Sequence, residues 1–140
     1  MKRSISIMAA CVAAIACAQV SPAAACSVKS LQGRWMFATG VGRQSAFPDR
    51  GDASAIGIFS VDRAGKVTGK FDANMLNGAP LLDVKFDGSI TVNPDCTGVL
   101  TFSTARGDTR TDSIVVINSR EIAGMRRDPQ FVWTYQMRRL

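Results

Sequence analysis

From Leu31 onward the dominant period of the apolar residues is two, and no segment carries a sustained 3.6-residue period. Period two is the mark of strands with one buried face, and it limits the fold more tightly than any other feature of the chain. In GRWMFATG (33–40), Trp35 and Phe37 share a face. In KVTGKFDA (66–73), Val67, Gly69, Phe71 and Ala73 point one way, with Lys66, Thr68, Lys70 and Asp72 opposite. LDVKFDGSITVN (82–93) carries Val84 and Phe86, then Ile90 and Val92 beyond Gly88, a glycine expected to kink or bulge the strand. GVLTFST (98–104) puts Leu100 and Phe102 together, and FVWTYQMRRL (131–140) lines up Phe131, Trp133, Tyr135 and Met137. AIGIFSVD (55–62) and SIVVINS (113–119) are apolar on both faces, as expected of well-covered strands.

Turn chemistry separates these segments. Asp62-Arg63-Ala64-Gly65 closes an expected hairpin between the strands at 55–62 and 66–73, and REIAGMRR (120–127) is the expected hairpin partner of 113–119. ARGDTRTD (105–112) is polar and turn-like. VGRQSAFPDRGDAS (41–54) and NMLNGAPL (74–81) are the long loops, and CSVKSL (26–31) holds the one hint of a helical turn. Seven or eight short strands without intervening helices predict an all-β fold: an antiparallel, roughly eight-stranded meander barrel, with a β-sandwich as the alternative. Closure favours the barrel because it removes the exposed edges of an open sheet.

The N-terminus predicts export. Lys2 and Arg3 precede an apolar run from Ile5 to Val20, and small residues then offer cleavage after Ala18 or after Ala25. That is the layout of a secretory signal peptide over residues 1–25, leaving 26–140 as a single domain. The apolar run falls short of the roughly 20 residues of a spanning helix, so no transmembrane segment is expected in the mature chain. Removing Lys2 and Arg3 leaves 15 basic against 11 acidic residues, a net charge of about +4. Cleavage also removes Cys11 and Cys17. The remaining pair, Cys26 and Cys96, is expected to form one disulfide in an oxidising compartment. A lipid anchor on Cys26 is the rival reading, although Ala23 stands where a lipobox usually has Leu. The expected location is the periplasm or the exterior.

Several chemistries lack their residues. The chain has no His, so a Ser-His-Asp triad and a His-activated thiol are ruled out, and a transition-metal site would have few ligands. Asp72 with Asp83, and Asp49 with Asp52, could offer carboxylates to a hard cation, yet no EF-hand spacing is present; no metal and no cofactor are expected. Glu121 is the single Glu and the one candidate for a burial-tuned general acid or base, but a surface pairing beside Arg120 is the simpler reading. The pairs Arg126-Arg127 and Arg138-Arg139 read as solvated surface, with an anionic envelope partner as the sharper option. No basic stripe interleaved with aromatics points to nucleic acid.

Three motifs carry a resemblance: Cys-Ser-x-x-Ser-Leu-x-Gly-x-Trp-x-Phe at 26–37, SVDRAGKVTG at 60–69, and Asp-Cys-Thr-Gly at 95–98. On these the chain resembles small exported bacterial proteins of uncharacterised function, similar in plan to the calycin-like β-barrels of the allene oxide cyclase and dirigent type. The resemblance spans the mature chain and implies the barrel and the disulfide. Its motifs are structural, so it implies little about activity.

The alternating aromatics supply the candidate site. In an eight-stranded barrel, inward side chains either fill the interior or leave room for one small ligand. Trp35, Phe37, Phe71, Phe102, Trp133 and Tyr135 are the expected ligand-binding wall, with Tyr135 or Glu121 as its polar handle. The function expected is non-enzymatic binding of a small apolar ligand, or of an envelope protein through NMLNGAPL or Phe47-Pro48. The alternative is a cofactor-free cyclase or isomerase acting on a hydrophobic substrate inside the barrel. Such an enzyme needs an acidic or hydroxyl group deep in a solvent-connected cavity.

Overall fold

The structure is a computed structural model and describes residues 26–39, 42–44, 52–75, 78–127 and 131–140. Residues 1–25, and with them the expected signal peptide and its cleavage points, lie outside the described residues, as do Phe47-Pro48 and Asp49. A 3₁₀ turn at Val28–Leu31 precedes ten strands: β1 (Gly33–Thr39), β2 (Gly42–Gln44), β3 (Asp52–Val61), β4 (Lys66–Met75), β5 (Leu81–Val92), β6 (Thr97–Thr104), β7 (Thr109–Asn118), β8 (Glu121–Arg126), β9 (Phe131–Val132) and β10 (Thr134–Arg139). Each pairs antiparallel with its neighbours, and the ring closes because β1 pairs with both β10 and β3. The wall is therefore an eight-stranded up-and-down barrel of β1, β3, β4, β5, β6, β7, β8 and β10. The short β2 and β9 pair with each other and extend it at one end.

Hairpin chemistry fixes the register. Asp62 Oδ1 accepts from the backbone N–H groups of Ala64 and Lys66, and Gly65 takes a φ of 86° that side-chain-bearing residues rarely adopt. From there β3 and β4 zip from Val61↔Val67 to Ala53↔Met75. Inward aromatics need room on the adjacent strand: Phe37 lies opposite Gly57, Phe59 opposite Gly69, Phe102 opposite Gly88 and Tyr135 opposite Gly124. Small residues facing bulky ones are how a tight barrel fills its taper.

One end of the barrel is solid. Trp35, Ile90, Ile114 and Ile122 are fully buried there, Val67 and Met137 are fully buried where it meets the cavity, and Leu31 of the 3₁₀ turn plugs the mouth. The Trp35 indole Nε1 donates to Leu31 O at 2.7 Å, and the Arg139 guanidinium lies 5.1 Å from the Trp35 ring centroid while bonding Ser30 O. The Cys26–Cys96 disulfide staples this plug to the turn between β5 and β6. In that turn Asp95 Oδ1 accepts from both N and Oγ1 of Thr97, and Cys96 O accepts from Val116 N at 2.8 Å. The bond occupies the sulfur that a lipid anchor on Cys26 would need.

Three expectations need correction. The segments at 55–62 and 113–119 are not covered on both sides: Ile56 and Ile58, and Val115 and Ile117, face outward and are exposed. A single closed sheet has only one interior, and no described element packs over those outer faces. The irregularity in β5 sits at Asp83 rather than Gly88. Asp83 has a φ of 50° and the β4–β5 register shifts there, while Gly88 pairs regularly with Phe102. ARGDTRTD is a turn only as far as Asp108; Thr109 already opens β7.

Candidate functional site

The opposite half of the barrel is hollow. It encloses a cavity of about 60 Å³, open at the end where β2 and β9 extend the wall. Phe37, Phe71, Phe86, Phe102, Trp133 and Tyr135 are among the side chains that line it. The phenyl rings stand in tilted and edge-on pairs, such as Phe86–Phe102 at 5.2 Å and Phe71–Phe86 at 5.9 Å between centroids. Such contacts add about 0.5–1.5 kcal/mol each beyond area burial.

A polar strip interrupts this surface. On β7 the alternation that sends Ile114 and Val116 inward sends Arg110 and Asp112 inward one turn of the pleat higher. Asp112 is 4% exposed, the only buried charged residue among those described. Its Oδ2 accepts a 2.9 Å hydrogen bond from the Tyr135 hydroxyl. The two residues are not on adjacent strands. Tyr135 on β10 faces Gly124 on β8, which faces Ile114 on β7, and the tyrosine reaches across β8 to Asp112. That span exists because residue 124 has no side chain: a Cβ there would sit 2.3 Å from the Tyr135 ring. Arg126, cross-strand partner of Asp112, and Arg110, whose guanidinium lies 5.8 Å from the Trp133 ring centroid, complete the strip. Thr39 at the rim bonds N and O of Ala55 through Oγ1.

Burial dominates the electrostatics of the pair. It pushes the Asp112 carboxyl above the ordinary carboxylate range, against the opposing effects of the Tyr135 hydrogen bond and the charges of Arg126 and Arg110. Burial, the neighbouring carboxylate and the hydrogen bond all push the Tyr135 phenol far above its usual value, which keeps its proton in place to donate. The arrangement can hold a flat apolar body and can offer a carboxylate to a hydrogen-bond donor.

The structure divides the sequence-expected wall. Phe37, Phe71, Phe102, Trp133 and Tyr135 come together around the cavity. Trp35 does not: it is fully buried in the solid half and its indole bonds the plug. Glu121 is also remote. It opens β8 at the plugged end, outward of buried Ile122 and across from Arg138 on β10, in a surface cleft with Arg120 and Arg139. Asp112 and Arg110 were missed because polar residues near a turn read as turn; Arg126 was missed because the Arg126-Arg127 pair reads as solvated surface, whereas Arg126 lines the cavity. No signal in the sequence marks them: Arg110 to Ser113 is polar at every position and Ile114 to Ile117 apolar at every position, so the alternation shows only in the burial of β7. Of the carboxylates considered for a cation, Asp83 pairs with Lys70 Nζ at 2.6 Å and Asp72 accepts from Asp83 N. Among the described residues no group of three or more metal-ligating side chains gathers.

No family model and no curated protein matches the sequence. Solved structures do match in fold. A de novo designed fluorescence-activating β-barrel aligns with a TM-score of 0.57 at 16% identity, over 81% of this chain and 96% of that one. A redesigned β-barrel bound to DFHBI aligns at 0.53 and 14% identity, over 79% and 99%. A second redesigned barrel with DFHBI aligns at 0.55 and 13% identity, over 80% and 97%. At these identities the likeness is one of architecture: this chain is similar to small closed eight-stranded barrels.

Proposed function

We propose that this protein is an exported barrel that binds one small, mostly apolar ligand in its hollow half. The observation that carries this reading is the contrast between the two ends. One is packed, plugged and stapled, while the other keeps an aromatic cavity with a buried Asp112–Tyr135 pair on its wall. A barrel built only for stability would fill both ends, since empty apolar volume costs on the order of 20 cal/mol per Å³. The fold neighbours bound to DFHBI support the premise that a barrel of this plan can house a small molecule. Export rests on the signal-like character of residues 1–25 and is supported by the disulfide, a bond that persists outside the reducing cytosol. The likeness to calycin-like barrels of the allene oxide cyclase and dirigent type fits the same architecture.

Native mass spectrometry of the protein purified from the periplasm of an expressing cell tests this reading. A discrete small-molecule increment over the denatured mass is expected, and the denatured mass should correspond to a chain starting at Cys26, two protons lighter for the disulfide. A bare barrel that also fails to take up any one-ring aromatic added in excess would overturn it.

One observation favours a second reading, a cofactor-free isomerase or cyclase. Asp112 is a buried carboxyl of raised pKa in an open apolar cavity, which is what proton abstraction from carbon in such an enzyme would require. Isomers share a mass, so chromatography of the extracted ligand separates the cases. One unchanged compound identifies a binder; time-dependent conversion that stops in Asp112→Asn identifies the enzyme.

A further inference from the structure

We propose that the plugged end carries a second site, on the outside of the barrel, for a phosphate monoester or an equivalent dianionic oxyanion. The site does not involve the cavity. Asn118, Ser119, Arg120 and Glu121 around the β7–β8 turn, with Arg138 and Arg139 of β10, line an open cleft of about 500 Å³. Hydrogen bonds fix its main chain: Asn118 Oδ1 accepts from Arg120 N at 2.8 Å, and Arg120 O accepts from Arg139 N at 2.9 Å. Arg139 is also held from the plug, where its guanidinium bonds Ser30 O and lies over the Trp35 ring. The side chains of Arg120 and Arg138, by contrast, are exposed and make no hydrogen bond or ion pair with any described residue. The two arginine doublets of the chain thus part company. Arg126 lines the cavity, whereas Arg138 and Arg139 share this cleft with Arg120.

Charge decides the ligand class. Three arginines stand against Glu121, the cross-strand partner of Arg138, which leaves a surplus of two positive charges. Glu121 forms no ion pair with them. Leu140 turns away: its N–H bonds Arg34 O, and its side chain lines a separate groove with Met36 and Ile58. A single carboxylate would offset only half of the surplus. A phosphate monoester carries close to two negative charges above its second pKa of about 6 and offsets all of it. Guanidinium forks also match phosphate oxygens in geometry, two N–H bonds at a time. Asn118 and Ser119 add neutral donors at the rim. Because the main chain is already fixed, binding orders little more than two exposed side chains.

Titration of the intact mature protein with inorganic phosphate, sulfate and acetate tests this, followed through backbone amide NMR signals at pH 8 and constant ionic strength. Phosphate is expected to give saturable shifts confined to residues 118–121 and 138–139. Sulfate, also a tetrahedral dianion, should bind within about threefold of phosphate, and acetate about tenfold more weakly, because halving the charge halves the attraction. Arg120→Gln and Arg138→Gln should each weaken phosphate about fivefold, and Glu121→Gln should strengthen it by about as much. Arg139 is left unchanged because it also holds the plug. Shifts that fail to saturate, or that spread evenly over the other arginines and lysines, overturn the site. Acetate binding as tightly as phosphate overturns the dianion assignment. Vesicles of phosphatidylcholine with and without phosphatidic acid then separate the two sources of a phosphate monoester. Co-sedimentation with the phosphatidic acid vesicles that free phosphate displaces and Arg138→Gln weakens identifies a lipid headgroup. Saturable phosphate binding without co-sedimentation identifies a soluble ester, and either result supports the site.

Discussion

Burial raises the Asp112 carboxyl even though Tyr135, Arg126 and Arg110 all favour its charged form. Ionising it therefore costs the fold. The stability contributed by the neutral form is fully present below the ordinary carboxylate value of 3.8 and is lost as pH rises through the raised value. Asp112→Asn stays neutral throughout. Thermal melts are expected to coincide with wild type well below pH 3.8 and to run higher than wild type at neutral pH, by about 4 °C per kcal/mol of relief. Asp83 and Asp95, whose carboxyls are lowered by their hydrogen bonds to Lys70 and Thr97, act in the opposite sense, losing stability as pH falls. They do so equally in both proteins and drop out of the comparison. A variant that melts below wild type at neutral pH would mean that the Tyr135 and arginine interactions outweigh burial. Gly124 makes the second residue-scale case. The alanine Cβ would strike the Tyr135 ring, so Gly124→Ala should swing Tyr135 off Asp112 and cost about 1–3 kcal/mol, read as a lower Tm together with loss of binding in the cavity. Unchanged binding in that variant would free Tyr135 of any part in the site.

Strands built on strict alternation were legible in the sequence. β4 runs from Lys66 and β10 to Arg139 as period two predicts, and the Asp62–Gly65 hairpin closes where its turn residues say it should. The disulfide was legible too, because removing a signal-like segment leaves two cysteines and one way to pair them. What stayed hidden has a common cause: hydrophobicity reports which residues resemble a core, not which way a strand faces. Asp112 and Arg110 sit inside although they are polar, and Ile56 and Val115 sit outside although they are apolar. Trp35 and Phe37 share a face, yet only Phe37 reaches the cavity, because the position of the plug along the barrel axis leaves no trace in the period. The plug carries its own prediction. Cys26→Ser should release the 3₁₀ turn from the β5–β6 turn across a separation of 70 residues, lowering stability by roughly 4 kcal/mol in the chain-entropy account. Binding in the cavity of the folded fraction should persist, since the staple and the cavity lie at opposite ends. Loss of binding in a well-folded Cys26→Ser protein would show that the plug shapes the site.

At the scale of the whole barrel, the same wall encloses a solid half and a hollow half, and the two should open independently. Around the plug, buried side chains from every strand of the ring interlock, and backbone bonds such as Ile90 N to Gly65 O and Val116 N to Cys96 O, both 2.8 Å, tie turns to strands. Around the cavity the same wall keeps unfilled volume, and Phe37, Phe102, Trp133 and Tyr135 on its lining are only partly buried. Local opening costs least where buried contacts are few. Native-state hydrogen exchange should therefore show its slowest amides at the plugged end, Ile90 and Val116 among them, and faster exchange toward the mouth, at Thr104 and Arg126. A guest that fills the cavity couples to any opening that dismantles it. At a hundred times its dissociation constant it should slow the mouth amides by up to about a hundredfold, the equivalent of roughly 2.7 kcal/mol. Equal protection at both ends without a guest would mean that the mouth half is as tightly packed as the plugged one, and the case for a binding cavity would fall with that result. A gradient that flattens when a guest is added would instead show that the hollow half is the part of the fold a ligand completes.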